Sequence, residues 1–186
     1  MKTEREKMLS GELYCFNDPE LLQQRYDARL LCEEFNQLSI TQQDQKVELL
    51  QKLFGSVGEG IAIEPGFYCD YGFNVHCGKN VSMNFNCLIL DSLKVTLEDG
   101  VMLGPGVHLI GDTHSTDPRT RPHMGRSGEI TIKKNCWLGA GVTVMPGVTI
   151  GEGTTVGANS VVTKDLPPNV VAVGSPARVI KQLDVE

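Results

Sequence analysis

From residue 63 onward, apolar residues recur every six positions, which is neither the 3.6 spacing of a helix nor the alternation of a half-buried strand. Ile63, Cys69, Val75, Val81 and Cys87 form one run. Val95, Val101 and Val107 resume it after two extra residues, and Ile132, Leu138, Val144, Ile150, Val156 and Val162 after a longer break. Twelve of these fourteen positions hold Val, Ile or Leu and two hold Cys, so one face of the pattern is consistently apolar. Three residues after ten of them stands Gly or Asn: Gly66, Gly72, Gly78, Asn84, Gly104, Asn135, Gly141, Gly147, Gly153 and Asn159. Both residue types tolerate the positive φ of a tight corner. The two columns predict short strands meeting at repeated corners, each sending an aliphatic side chain into a common core. Three hexads per coil give coils of about 18 residues, four to five of them, stacked ~4.8 Å apart by parallel pairing.

Before residue 60 the pattern is helical. Asp18 ahead of Pro19 is a helix start, with a capping side chain before a proline in the first turn. Leu21, Leu22, Tyr26, Leu30 and Leu31 follow at helical spacing to about Asn36. Thr41 is the expected cap of a second helix carrying Val47, Leu50 and Phe54 and ending at Gly55, and a short helix is expected over 4–10. The chain thus divides into a helical segment (1–60), a coil (61–166) with an inserted loop at about 111–129, and a C-terminal tail (167–186).

Composition narrows the partners. The formal net charge of -6 argues against nucleic acid, whose phosphates demand a basic face. No stretch reaches the ~20 apolar residues that span a bilayer. The charged MKTEREKM leads into no apolar signal region, so the expected address is the cytoplasm. The six cysteines show no C-x-x-C pair and are expected to be free, mostly buried thiols. No metal-ligand spacing and no phosphate-binding glycine loop occurs.

The hexad frame, the run from Trp137 to Gly151 (WLGAGVTVMPGVTIG), and Val162-Thr163-Lys164-Asp165 followed by Gly174-Ser175-Pro176-Ala177-Arg178 resemble the hexapeptide-repeat acyltransferases. Met8-Leu9-Ser10-Gly11-Glu12-Leu13-Tyr14 and Asp18-Pro19-Glu20-Leu21 narrow the resemblance to the maltose and galactoside O-acetyltransferase group, the maltose side above all. It covers nearly the whole chain apart from 115–128. The resemblance implies a mainly β fold, a left-handed parallel β-helix with an N-terminal α-helical segment. It also implies a homotrimer with sites between subunits, acetyl-CoA as co-substrate without a metal, and a sugar hydroxyl as acceptor. Handedness comes from the resemblance alone, since parallel crossovers are usually right-handed.

The break at 111–129 opens with Gly111-Asp112-Thr113-His114. In the family a histidine at the base of this loop is the general base, and His114 matches it; imidazole suits that task near neutral pH. His76 and His108 follow the apolar position of their hexads and are expected on the outer surface; His123 has no assigned role. The resemblance further implies acceptor contacts at Asn84, Asp70, Arg25, Asp18 and Ser92, the last in Asp91-Ser92, where galactoside members carry two acids. Ser92 here, and Ser82 in place of an aromatic, favour glucose or maltose over a galactoside. For the cofactor it implies Ala140 and Ala158 through backbone groups, then Thr163, Lys164, Arg178, Lys181 and Trp137. A backbone N–H near Gly139–Gly141 is the expected oxyanion donor.

Column arithmetic places Asn84 at the corner between the first and second faces, and His114 at the corner between the second and third. A three-fold trimer would bring those edges together, giving shared sites. The competing readings are a same-fold acetyltransferase for a galactoside, an antibiotic, serine or an aminosugar, a γ-type carbonic anhydrase, and a non-catalytic trimer. The carbonic anhydrase needs three zinc-binding imidazoles, and no histidine pair has the spacing for it.

Overall fold

A computed structural model describes residues 1–184. Three parallel sheets form the sides of a left-handed coil of about six turns. The first face stacks Ala62–Ile63, Ser82–Met83, Met102–Leu103, Trp137–Leu138, Thr155–Val156 and Val170–Val173. The second stacks Tyr68–Cys69, Leu88–Leu90, His108–Ile110, Thr143–Val144 and Val161–Val162; the third stacks Val75–Cys77, Val95–Leu97, Ile130–Ile132 and Thr149–Ile150. All fourteen hexad residues are buried. The coil runs past the expected boundary at 166, because Val170–Val173 pairs in parallel with Thr155–Val156 as a further rung. Arg178–Gln182 then folds back antiparallel on it.

The register differs from the six-residue frame in the first half. Ile63 pairs with Met83, Cys69 with Ile89 and Cys77 with Leu97, so those coils are twenty residues long rather than eighteen. Two residues are added at each passage from the second face to the third, after Cys69 and after Ile89. The frame slipped because many faces bury two apolar residues two apart, such as Cys87 with Ile89 and Val101 with Leu103. A step of six passes from one column to the other across the added pair. The corner column shifts with it: φ is positive at Asn80, Asn86 and Gly106, and not at Gly78, Asn84 or Gly104. Asn86, not Asn84, is therefore the corner residue.

Three helices close the first rung: α1 (Glu4–Leu9), α2 (Pro19–Gln37) and α3 (Gln43–Leu53). Thr3 and Glu6 form a reciprocal cap on α1. Asp18 caps α2 by accepting from the Glu20 N–H at 3.0 Å. Thr41 does not cap α3; Gln42 holds that position, its side chain turned back to accept from the Ser39 N–H at 2.8 Å. Asn36 docks α2 on the coil, its Oδ1 accepting from Gly66 N (2.8 Å) and Phe67 N (3.1 Å). Phe35, Leu50, Leu53 and Phe54 cover the open end above Phe67. All six cysteines are free, and five are buried. Among the described residues no helix is long and apolar enough to cross a membrane.

Candidate active site

Every break in the repeat falls on one edge, where the second face turns into the third. The first two coils turn there through their added residues, and the third departs into a hairpin. Asp91, fully buried, organises the turn above it by accepting from Tyr71 N (2.8 Å), Asp70 N (3.1 Å) and Asn74 N (3.3 Å). Burial pushes its own carboxyl up to about 7. In the third coil, Gly111 N donates to Leu90 O at 2.8 Å, and a Cβ there would lie 2.4 Å from that oxygen, so only glycine lets the chain leave the coil here.

The expected loop is largely a β-hairpin. Asp112–His114 pairs antiparallel with Met124–Ser127, which pairs in turn with Tyr14–Cys15. Its tip is closed by its own arginines: Arg119 grips Asp117 (2.7 Å), and Arg121 donates to Ser115 O and Thr116 O. Those cations are engaged in folding the hairpin. His114 sits opposite Gly125, exposed, with Phe16 edge-on at 5.0 Å between ring centres. His76 and His108 lie half-buried on outward positions of the sheets, and His123 is exposed on the hairpin.

A cavity of about 470 Å³ opens at this edge, within the range of small-molecule sites. His114, Asp112 and Phe16 line it from the hairpin side, Asp70 from the first coil, and Arg25 and Arg29 from α2. Arg25 donates from Nη1 to Tyr71 Oη (2.8 Å) and from Nη2 to Phe16 O (2.7 Å), tying helix, corner and aromatic together. Burial raises the Asp70 carboxyl to about 6, with Asp112 adding to the rise and Arg25 and Arg29 opposing it. Burial likewise raises Asp112, against the hydrogen bond from Ser92 and the charge of His114.

His114, Asp70 and Arg25 are thus brought together. Ser92 is fully buried and meets the cavity only through Asp112, to which it donates at 3.3 Å; in this position it is a support and not an acceptor contact. Asp18 is occupied as the α2 cap and lies outside the cavity lining. Asn84 is exposed on a different edge, its Oδ1 accepting from the Phe85 N–H at 2.8 Å. Ala140 and Ala158 are exposed on that same edge. The N–H groups of Gly139 and Gly141 are spent in the coil, on Val156 O and Pro105 O, whereas no backbone bond from Ala140 N or Ala158 N occurs among the described residues. Any oxyanion donor in this stretch is therefore Ala140. Trp137 lies half-exposed on the first face. Lys164 and Arg178 share a separate cavity of about 320 Å³; Thr163 is exposed just before it, and Lys181 is exposed on the final antiparallel strand. Sequence reasoning missed Phe16, Arg29 and Asp112. Only Asp112 carried a signal, as the residue two before His114 on one strand and so on the same side of it.

Residues 7–58 match the maltose acetyltransferase hexapeptide capping motif, and residues 129–164 match six bacterial transferase hexapeptide repeats. The chain is 42% identical to a galactoside O-acetyltransferase of Lactococcus lactis over 93% of its own length and 84% of that protein's. The crystal structure of a maltose O-acetyltransferase from Clostridium difficile superposes with a TM-score of 0.97 at 42% identity, covering 99% of both chains. A hexapeptide-repeat acetyltransferase from Vibrio cholerae, solved with acetyl coenzyme A, superposes at 0.90 with 34% identity, covering 99% of this chain and 100% of that one. The chain is therefore an acyltransferase, and it belongs to the maltose and galactoside O-acetyltransferase group of the hexapeptide-repeat family.

Proposed function

We propose that this protein transfers the acetyl group of acetyl-CoA to a hydroxyl of a glucose- or maltose-like sugar, with His114 as general base. The observation that carries the reading is the cavity in which His114 lies among two carboxylates and two guanidinium groups. Sugar hydroxyls donate to the first kind and accept from the second. His114 takes the hydroxyl proton as the oxygen bonds to the thioester carbonyl carbon. The tetrahedral intermediate then expels the CoA thiolate, which recovers the proton from the imidazolium and leaves as the thiol. General-base catalysis of this kind is worth about 10² to 10⁴-fold. The unspent Ala140 N–H is suited to the oxyanion, and Lys164 and Arg178 to the cofactor's phosphates.

The active form in this reading is a homotrimer. Support comes from the separation of parts: within one chain His114 stands on one edge, while Asn84, Ala140 and Ala158 stand on another. A three-fold arrangement brings the two edges face to face. The test is thiol release from acetyl-CoA across glucose, maltose, a thiogalactoside, chloramphenicol and serine. Glucose or maltose should turn over, and His114→Ala should lose at least a hundredfold. His114→Ala co-assembled with Asn84→Ala should regain activity; mixed trimers that stay inactive defeat the shared site. Turnover confined to another acceptor moves the substrate and keeps the mechanism.

A further inference from the structure

A buried chain of hydroxyls ends on one carboxylate of the cavity, and acetyl transfer by His114 does not require it. Tyr14, 1% exposed, donates from Oη to Ser92 Oγ at 3.1 Å. Ser92, fully buried, donates to Asp112 Oδ2 at 3.3 Å. Burying hydroxyls is unfavourable unless they are paired, and here the pairing runs outward to a single acceptor. The bond at Oδ2 restrains the carboxylate, and no side chain among the described residues donates to Oδ1. Asp112 and His114 project from the same side of their strand. Asp70 and Asp112 line the cavity together; burial raises both carboxyls, Asp112 adds to the rise at Asp70, and Arg25 opposes it at both.

With two carboxylates and two guanidinium groups the lining is formally balanced. An amine would meet Arg25 and Arg29, and an acid would meet Asp70 and Asp112. An uncharged polyol suits both pairs.

We propose that Asp112 is an acceptor-contacting, specificity-determining residue that forms with Asp70 a two-carboxylate clamp on neighbouring hydroxyls of an uncharged polyol. Tyr14 and Ser92 position it. The kinetic consequences rest on the acetyl-transfer reading; binding of the polyol does not.

The test pairs steady-state kinetics with direct binding of glucose and maltose, followed by saturation-transfer NMR in the presence of CoA, for wild type, Asp112→Asn and Ser92→Ala. Asp112→Asn should raise the acceptor KM and weaken sugar binding at least tenfold, with the KM for acetyl-CoA close to wild type and the melting temperature no lower than wild type. Ser92→Ala, which frees the carboxylate without removing it, should raise the acceptor KM about threefold. Glucosamine should be the poorer acceptor. An unchanged acceptor KM in Asp112→Asn overturns the clamp. So does a fall in kcat alone, which would make Asp112 act through His114, or a preference for glucosamine. If glucose and maltose bind wild type without being acetylated, the acetyl-transfer reading fails, and the loss of binding in Asp112→Asn still decides the clamp. If no polyol binds wild type, the clamp is wrong.

Discussion

Replacing Asp70 with Asn should stabilise the protein while damaging its acceptor site. The Asp70 side chain is 15% exposed, and its carboxyl is raised from 3.8 to about 6 by burial first and by Asp112 second. Arg25 and Arg29 pull the other way without cancelling this, the Arg29 guanidinium standing 3.9 Å off. A displacement of roughly two pKa units, at about 1.4 kcal/mol each, sets about 3 kcal/mol against the charged form at neutral pH. Water entering the open cavity screens part of it, leaving about 2 kcal/mol. The carboxylate accepts no side-chain hydrogen bond among the described residues, so an amide leaves none unmade. The sign follows from linkage. Well below pH 4 the group is protonated in both states and contributes nothing. Between pH 4 and 6 the unfolded chain loses its proton first, the folded protein holds more protons, and stability falls as pH rises. Above pH 6 the penalty is constant. Asp70→Asn should therefore melt about 4–8 °C above wild type at pH 7, at roughly 2–4 °C per kcal/mol for a chain of this size. The difference should shrink towards zero at pH 4. Melting curves from pH 4 to 7, run alongside acceptor KM, measure both effects. A variant less stable than wild type at pH 7, or one with the same advantage at pH 4, refutes the reasoning.

Two further outcomes bear on other parts of the molecule. Gly66 has φ +86°, and a Cβ there would lie 2.2 Å from Asn86 Oδ1, so Gly66→Ala should cost at least about 2 kcal/mol, seen as a lowered melting temperature. An unshifted melt would mean that the corner is slack. Arg178→Ala should raise the KM for acetyl-CoA at least fivefold and spare the acceptor KM; equal changes in both would remove the residue from the cofactor path.

The repeat was legible because burial imposes it: no other arrangement explains aliphatic residues at Ile132, Leu138, Val144, Ile150, Val156 and Val162, all of which are fully buried. Its exact register in the first half was not legible. Val81 and Met83, or Val101 and Leu103, both face the core, so apolarity alone does not say which one centres the strand. That ambiguity hid the insertion after Cys69, left only the second pair visible as the two extra residues before Val95, and gave Asn84 the corner role that belongs to Asn86. His114 was marked by its place at a break in the repeat together with the family resemblance. Phe16 and Arg29 reach the cavity from outside the coil, through a helical segment whose docking no periodicity encodes. Asp112 was overlooked for a different reason: the resemblance put the acceptor contact at Ser92, one coil earlier, and that residue is buried there.

The added residues at the recurring corner come in even number, and this has a consequence for how the edge can change. Side chains along a strand alternate between inside and outside, so inserting two residues restores the alternation, and inserting one turns the next strand's apolar column to solvent. Corners after Cys69 and Ile89 are therefore most simply remodelled by pairs. The hairpin carrying His114 has left the ladder before it lengthens, so parity places no demand on it. Its tip can grow, shrink or be exchanged one residue at a time while the coil beneath keeps its count, which makes the hairpin the least constrained lever for altering what the cavity admits.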